Sequence, residues 1–458
     1  MRSIALSTIL ALVLPLSAQA PRRNARMPGM QMPAPKAAAP PVAPQRPGWT
    51  LAQLETLALE RNPTLRQALA AEQEAAGLVR QSGLWPNPTV GYEGDQIRGG
   101  SYGGGEQGVF AQQKILLGHK LAAAQRVAAA GLRGQQAIAA AQRLAVRSAV
   151  RLAFYRALAR QRLVAVDRGL LGIARDAALT TRQLANVGQA NPPDELAARV
   201  ETEQAALALD RARRRLRGAW RELAAVVGSP HLRPGPLAGQ LAPGPAPIRR
   251  AAYLQRLLSA SPAVQIAAAE LRRAQATLGQ ARRQSVPDLT LRGGEQTNRE
   301  LTGRNGPPVG WQSFASVGIG LPVFNRNQGN VASAAAAVIA AREEIIRVRL
   351  RLRRQAAAEW ARYRAAADAA ARYRVMVPQA ERAYRLYLRY YQHMAAAYPQ
   401  VLVAQRTWFE LRRQSICTLG RLWRSALTLR SQFYVHGLQP AAAMPPITAN
   451  QENLPNAR

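Results

Sequence analysis

The residues of this chain that could do chemistry are four histidines, one glycine triplet, one cysteine and a methionine cluster. His119, His231, His393 and His436 stand far apart. A metal site needs ligands at short intervals, such as His-x-x-x-His on one helix face, and no such spacing occurs. Gly103, Gly105 and Gly108 match the glycine pattern of a dinucleotide loop. That loop works only between a strand and a helix N-terminus, whereas these glycines fall on a predicted hairpin that opens no helix. Cys417 is the single cysteine, so no intrachain disulfide can form, and it reads as a small apolar helix residue. Met27, Met30 and Met32 are three of the seven methionines. Thioethers suit copper(I), so copper capture stands beside chance clustering in a low-complexity segment. No nucleophile, base and orienting group can be assembled from sequence neighbours. The expectation is a protein that is not an enzyme and carries no cofactor.

Composition then bounds the class. The formal charge is +36, and nearly all of the cations are arginines scattered along helical stretches without interleaved aromatics. No nucleic-acid motif is present, so solvated helix faces account for the excess and no nucleic-acid partner is expected. Contact with anionic lipid or cell-wall polymer stays open. Residues 1–20 have the layout of a cleaved export signal: Arg2, an apolar run from Ile4 to Leu16, then Ala18-Gln19-Ala20. The run is too short to span a bilayer. Residues 21–48, rich in Pro, Ala and Met, read as a disordered tether, and 438–458 as a disordered tail. No cysteine follows the signal to carry a lipid anchor.

The elements between are stated twice. Asn62-Pro63-Thr64-Leu65 leads to Pro88-Thr89-Val90-Gly91-Tyr92; Ser261-Pro262-Ala263-Val264 leads at the same offset to Pro287-Asp288-Leu289-Thr290-Leu291. Such duplication marks two copies of one structural unit, here residues 49–245 and 246–437. Thr50 with Gln53 forms a capping box. Asn62 is an N-cap followed by proline at the first helical position, and Ser261-Pro262 is its counterpart in the second copy. Each copy then predicts two strands, 89–97 and 107–116 in the first, 288–297 and 311–323 in the second. In the last, Trp311, Ala315, Val317, Ile319 and Leu321 alternate with Gln312, Ser316, Gly318 and Gly320, a period-two pattern suited to a membrane barrel strand.

Long helices follow, about 119–187 and 328–397, each on the order of 100 Å. In the first, a 3,4 spacing runs through Leu121, Ala124, Ala128, Gly131, Gln135, Ile138, Gln142, Ala145, Ala149, Leu152, Arg156, Ala159 and Leu163 to Ala177. That is a coiled-coil seam that must pack on partners of similar length. Proline-bearing turns, with Pro193 and Pro399 in corresponding places, reverse both helices into hairpins. Four strands cannot close a barrel, and an open sheet edge in lipid strands its backbone groups at several kcal/mol each. The smallest usual barrel has about eight strands, so at least two chains must share one.

These pieces resemble the outer-membrane efflux protein family (TolC-like), particularly its heavy-metal branch. The resemblance rests on Asn62-Pro63, Ser261-Pro262, Trp85-Pro86-Asn87-Pro88, Gly320-Leu321-Pro322-Val323-Phe324 before Asn325-Arg326-Asn327, and Val401 through Thr407, and it covers about residues 49–437. It implies a mainly α protein with membrane β-structure. In it a homotrimer shares one twelve-stranded barrel, four strands per protomer, set in outer-membrane lipid above a periplasmic helical barrel. It also implies a passive exit duct for a periplasmic adaptor (membrane fusion protein) and an inner-membrane pump, with heavy-metal cations among the candidate cargoes. The tip residues Gly188, Gln189, Pro193, Met394, Tyr398 and Pro399 are the expected adaptor-docking positions. The first-repeat strand departs from the family in reading Gln113-Lys114 where Gln-Pro is usual, and Met394 stands in place of glycine. No Asp or Glu lies between Glu381 and Glu410 to form the acidic gate of some members. The competing reading is a soluble periplasmic helical adaptor or scaffold.

Overall fold

The computed structural model describes residues 48–440, apart from 100, 101, 104, 187, 189, 190, 304, 305, 394 and 396. The expected signal and tether with Met27, Met30 and Met32, the tip residues Gln189 and Met394, and most of the expected tail lie outside the described residues. The first copy runs β1 (Trp49–Thr50), α1 (Leu51–Arg61), α2 (Pro63–Gln81), β2 (Thr89–Asp95), β3 (Arg98–Gly99), β4 (Tyr102–Gly103), β5 (Glu106–Ile115), α3 (Lys120–Asn186), α4 (Pro192–Val227) and β6 (Leu237–Ala238). The second runs α5 (Arg250–Ala260), α6 (Pro262–Arg283), β7 (Leu289–Leu301), β8 (Pro308–Ile319), α7 (Gln328–Gln392) and α8 (Tyr398–Arg430).

Local chemistry explains the boundaries. Thr50 and Gln53 form a reciprocal capping box at the start of α1. Asn62 ends α1 and caps α2, its side chain accepting from the Thr64 N–H, with Pro63 at the first helical position. Ser261 repeats this between α5 and α6, accepting from the Val264 N–H at 3.4 Å. The 67 residues of α3 extend roughly 100 Å. Pro378 lies inside α7 without ending it; its ring removes one helical bond, to the carbonyl of Arg374, on an exposed turn where water can substitute.

The expected seam of α3 is only part of what it buries. Val146, Val150, Phe154 and Leu158 form a second buried face, because α3 packs against α1, α2, α4, α6 and α8 rather than one partner. Arg156, placed on the seam by spacing, instead points outward and pairs with Glu222. Phe154, Leu158, Trp220 and Leu223 join Leu54 and Leu65 in one core. Nearer the hairpin ends Leu171, Leu209, Tyr384, Trp408 and Phe409 form another.

Four of the strands form one antiparallel sheet, order β2-β5-β7-β8, while β1 pairs with β6 and β3 with β4. The two copies therefore meet through β5 and β7, paired from Glu106↔Asn298 to Ile115↔Leu289. β8 stops at Ile319, not at Val323 as the alternation suggested, because its partner β7 begins at Leu289, opposite Ile319. Gly320 onward has no strand to bond. At its other end β7 continues to Leu301 past an irregularity in pairing.

Candidate functional site

Register sorts the sheet into two faces. One carries the paired rows Val90–Ala111–Gly293–Ala315, Tyr92–Val109–Glu295–Ser313, Leu291–Val317 and Leu289–Ile319. Val90, Tyr92, Val109, Trp311 and Val317 on this face are each more than half exposed in the single chain. Water would not tolerate such a wall of apolar side chains; lipid would. Leu84, Trp85, Leu321, Val323 and Phe324 carry the exposed apolar surface on to where strands join helices, with Phe324 91% exposed. The other face carries Thr89–Gln112–Arg292–Ser316, Gly91–Phe110–Gly294–Phe314, Glu93–Gly108–Gln296–Gln312 and Asp95–Glu106–Asn298. It is largely polar and suits a water-filled bore. Among the described residues, β2 and β8 have no strand on their outer sides. Strand direction alternates across four strands, so β8 of one copy meets β2 of the next antiparallel, and a rotational ring of copies leaves no edge.

The opposite ends of the helices form the tips. Gly188 is exposed with φ of +72°, a left-handed turn that favours glycine. Pro193 and Pro399 are both exposed, each the second residue of its helix. Tyr398 differs: it is buried, its ring 5.6 Å from that of Tyr391. Burial pushes both phenols above their usual pKa, and a hydrogen bond with the buried Thr181 hydroxyl of α3 opposes the shift. Tyr398 therefore ties the second hairpin to the first from within, and its neighbours on the turn supply the outer surface. Shallow apolar grooves flank both tips. One of about 380 Å³ is lined by Tyr387, Pro399, Val403 and Thr407. The other, of about 620 Å³, is lined by Arg199, Val200, Glu203 and Leu207.

Two ion pairs join the hairpins farther up. Arg406 Nε donates to Glu201 Oε2 at 2.9 Å, and the Glu201 side chain is only 8% exposed. Asp167, 1% exposed, lies 3.5 Å from Arg413 Nη1. Burial raises the Asp167 pKa, and Arg413 and Arg215 pull it back only in part. No sequence spacing announces these pairs; the partners are more than two hundred residues apart and meet only through the duplication. Of the histidines, His393 lies at the end of α7 and His436 beyond α8. Among the described residues no three His, Cys, Asp or Glu side chains converge on a metal position, and no helix is long and apolar enough to cross a membrane.

Comparison with known proteins agrees with this geometry. The outer membrane efflux protein family matches residues 54–229 and again 253–432, one match per repeat. The cobalt-zinc-cadmium resistance protein CzcC of Cupriavidus metallidurans is 30% identical over 395 residues, 85% of this chain and 91% of that protein. The crystal structure of CusC superposes with a TM-score of 0.66 at 20% identity, covering 89% of this chain and 98% of CusC. That of the outer membrane protein VceC of Vibrio cholerae gives 0.67 at 19% identity, covering 84% and 96%. The shared fold is a trimeric channel whose protomers complete one β-barrel above a helical barrel. The chain belongs to the outer membrane efflux protein family and is a subunit of an outer-membrane efflux channel reaching into the periplasm.

Proposed function

We propose that the trimer is a passive exit duct for heavy-metal cations, driven by an inner-membrane pump and joined to it by a periplasmic adaptor. The relation to CzcC, a cobalt-zinc-cadmium resistance protein matched over most of both chains, is the observation that carries the cargo class. The duct needs no catalytic group, since its task is a sealed route; the pump supplies the free energy. Residues 49–245 and 246–437 act as equivalent halves, each giving two main strands to the barrel and one hairpin to the periplasmic end. The adaptor docks at the tips through Gly188, Gln189, Pro193, Met394 and Pro399, with Tyr398 holding the second turn in place from beneath. The apolar grooves beside both tips support this reading, because a partner helix could lay its apolar face along them.

Deleting the gene should lower tolerance to cobalt, zinc or cadmium, and the wild-type gene should restore it. Unchanged metal tolerance with lost tolerance to organic compounds would reassign the cargo. The methionines Met27, Met30 and Met32 are proposed to hold copper(I). Changing all three to leucine should then reduce copper tolerance, and an unaltered tolerance would remove that role.

A further inference from the structure

The polar face of the sheet contains an arrangement whose purpose is not explained by folding alone. Phe110 and Phe314 do not stand out into the bore. A Cβ at Gly91 would sit 2.7 Å from the Phe110 ring, and one at Gly294 would sit 2.9 Å from the Phe314 ring. The rings therefore lie along the wall over glycines in the same paired row. Arg292 lies against both rings, its guanidinium carbon 4.2 Å from the centroid of Phe110 and 5.5 Å from that of Phe314. Glu93, on the same face, forms an ion pair with it. The arginine is thus fixed on the wall and neutralised there.

Toward the loop end of the sheet, Glu106 accepts hydrogen bonds from Gln296 Nε2 and Asn298 Nδ2, both at 2.8 Å, and stands directly across from Asp95. Across the paired rows of this face, from Thr89–Gln112–Arg292–Ser316 to Asp95–Glu106–Asn298, the carboxylates Glu93, Asp95 and Glu106 stand with one cation, Arg292. At the helix end, Lys114 and Lys120 share Asp288, at 3.4 and 2.7 Å. The chain as a whole carries +36, so an acidic stretch here runs against its composition.

We propose that the excess of Glu93, Asp95 and Glu106 over Arg292 sets the ion preference of the barrel, making its outer half favour cations, with the Glu93–Arg292 pair as its adjustable part. The inference deepens the proposed passage of metal cations and rests on the polar face being the bore. Twelve strands about 4.8 Å apart and tilted by about 40° give a backbone radius of roughly 12 Å. The Debye length is about 10 Å at 0.1 M salt and about 3 Å at 1 M, so wall charges act across the bore only at low salt.

The test is the reversal potential of purified trimers in planar bilayers under a potassium chloride gradient near 0.1 M. Wild type should prefer potassium. Glu93→Gln exposes the charge of Arg292 and should lower the potassium-to-chloride permeability ratio by about two-fold or more, while Arg292→Gln should raise it. Glu295→Gln removes the same charge from the lipid-side face and should leave the ratio unchanged. All differences should vanish near 1 M salt. If Arg292→Gln does not assemble, Glu93→Gln and Glu295→Gln still decide the matter. A conducting trimer whose ratio ignores Glu93, or responds to Glu295 instead, overturns the inference while leaving the duct intact. A membrane-inserted wild-type trimer that carries no ion current contradicts the duct and the inference together.

Discussion

Asn62 offers a way to separate two contributions that one buried side chain makes. Its Oδ1 accepts from the N–H of Thr64 at 3.0 Å, the N-cap of α2. Its Nδ2 donates to the carbonyls of Val226, at 2.9 Å, and Gly437, at 3.2 Å. The Val226 carbonyl sits in the last turn of α4, and the residue four places on is Pro230, which has no N–H to give. Asn62 supplies the missing donor. Gly437 keeps a second donor in the Thr64 hydroxyl at 2.9 Å, so Val226 is the group left stranded when the amide is lost. Ser261 does the capping half of this task in the second repeat, which makes Asn62→Ser the informative change. It keeps a cap and loses the amide donors, at an expected cost of about 1 kcal/mol for one part-buried carbonyl left without its donor. Asn62→Ala loses the cap as well, adding about 1 kcal/mol. Unfolding of the detergent-solubilised protein in urea, followed by helical circular dichroism, should rank wild type above Asn62→Ser above Asn62→Ala. Three coincident curves, or a serine variant no worse than wild type, would refute the role assigned to the amide.

Other expectations follow from the same structure. Arg406→Ala should cost on the order of 3 kcal/mol by leaving the buried Glu201 unpaired, whereas Glu201→Gln should cost less because Arg406 returns to water. Hydrogen exchange in the first turns of α8 would show the asymmetry, and equal effects would argue against it. Asp167 holds its proton more tightly folded than unfolded, so its contribution is best at acid pH and is lost as pH rises past its raised pKa. Asp167→Asn should therefore gain in Tm relative to wild type as pH climbs from about 4 to about 7, and a gain toward acid pH would reverse the sign of the argument. Val317 and Ser316 are neighbours on opposite faces. Val317→Lys should cost about 2–4 kcal/mol in lipid and deplete trimers from the outer membrane, while Ser316→Lys should assemble normally. Equal assembly would mean the faces are misassigned.

Much of the fold was legible because its signals are local. The capping box at Thr50, the Asn62-Pro63 and Ser261-Pro262 junctions and the bounds of α3 depend on residues within a turn or two of each other. The alternation through Trp311, Ala315 and Val317 divides the strand into an apolar and a small or polar face without reference to any partner strand. Where β8 ends was not legible, because that is decided by the start of β7. Arg156 matched a coiled-coil spacing yet faces outward, since α3 has five helical neighbours and no single seam. Tyr398 read as a surface tip residue, and only the packing of one hairpin on the other puts its ring inside. The Glu201–Arg406 pair and the Phe110 ring over Gly91 depend on tertiary register and leave no periodic trace.

Among the described residues the sheet has two bare edges, β2 and β8, that copies of the chain must close. Native mass spectrometry of the protein extracted from outer membranes in mild detergent measures that directly. Three chains per complex, losing their fold when detergent is withdrawn, is the predicted result; a stable monomer in plain buffer would contradict it.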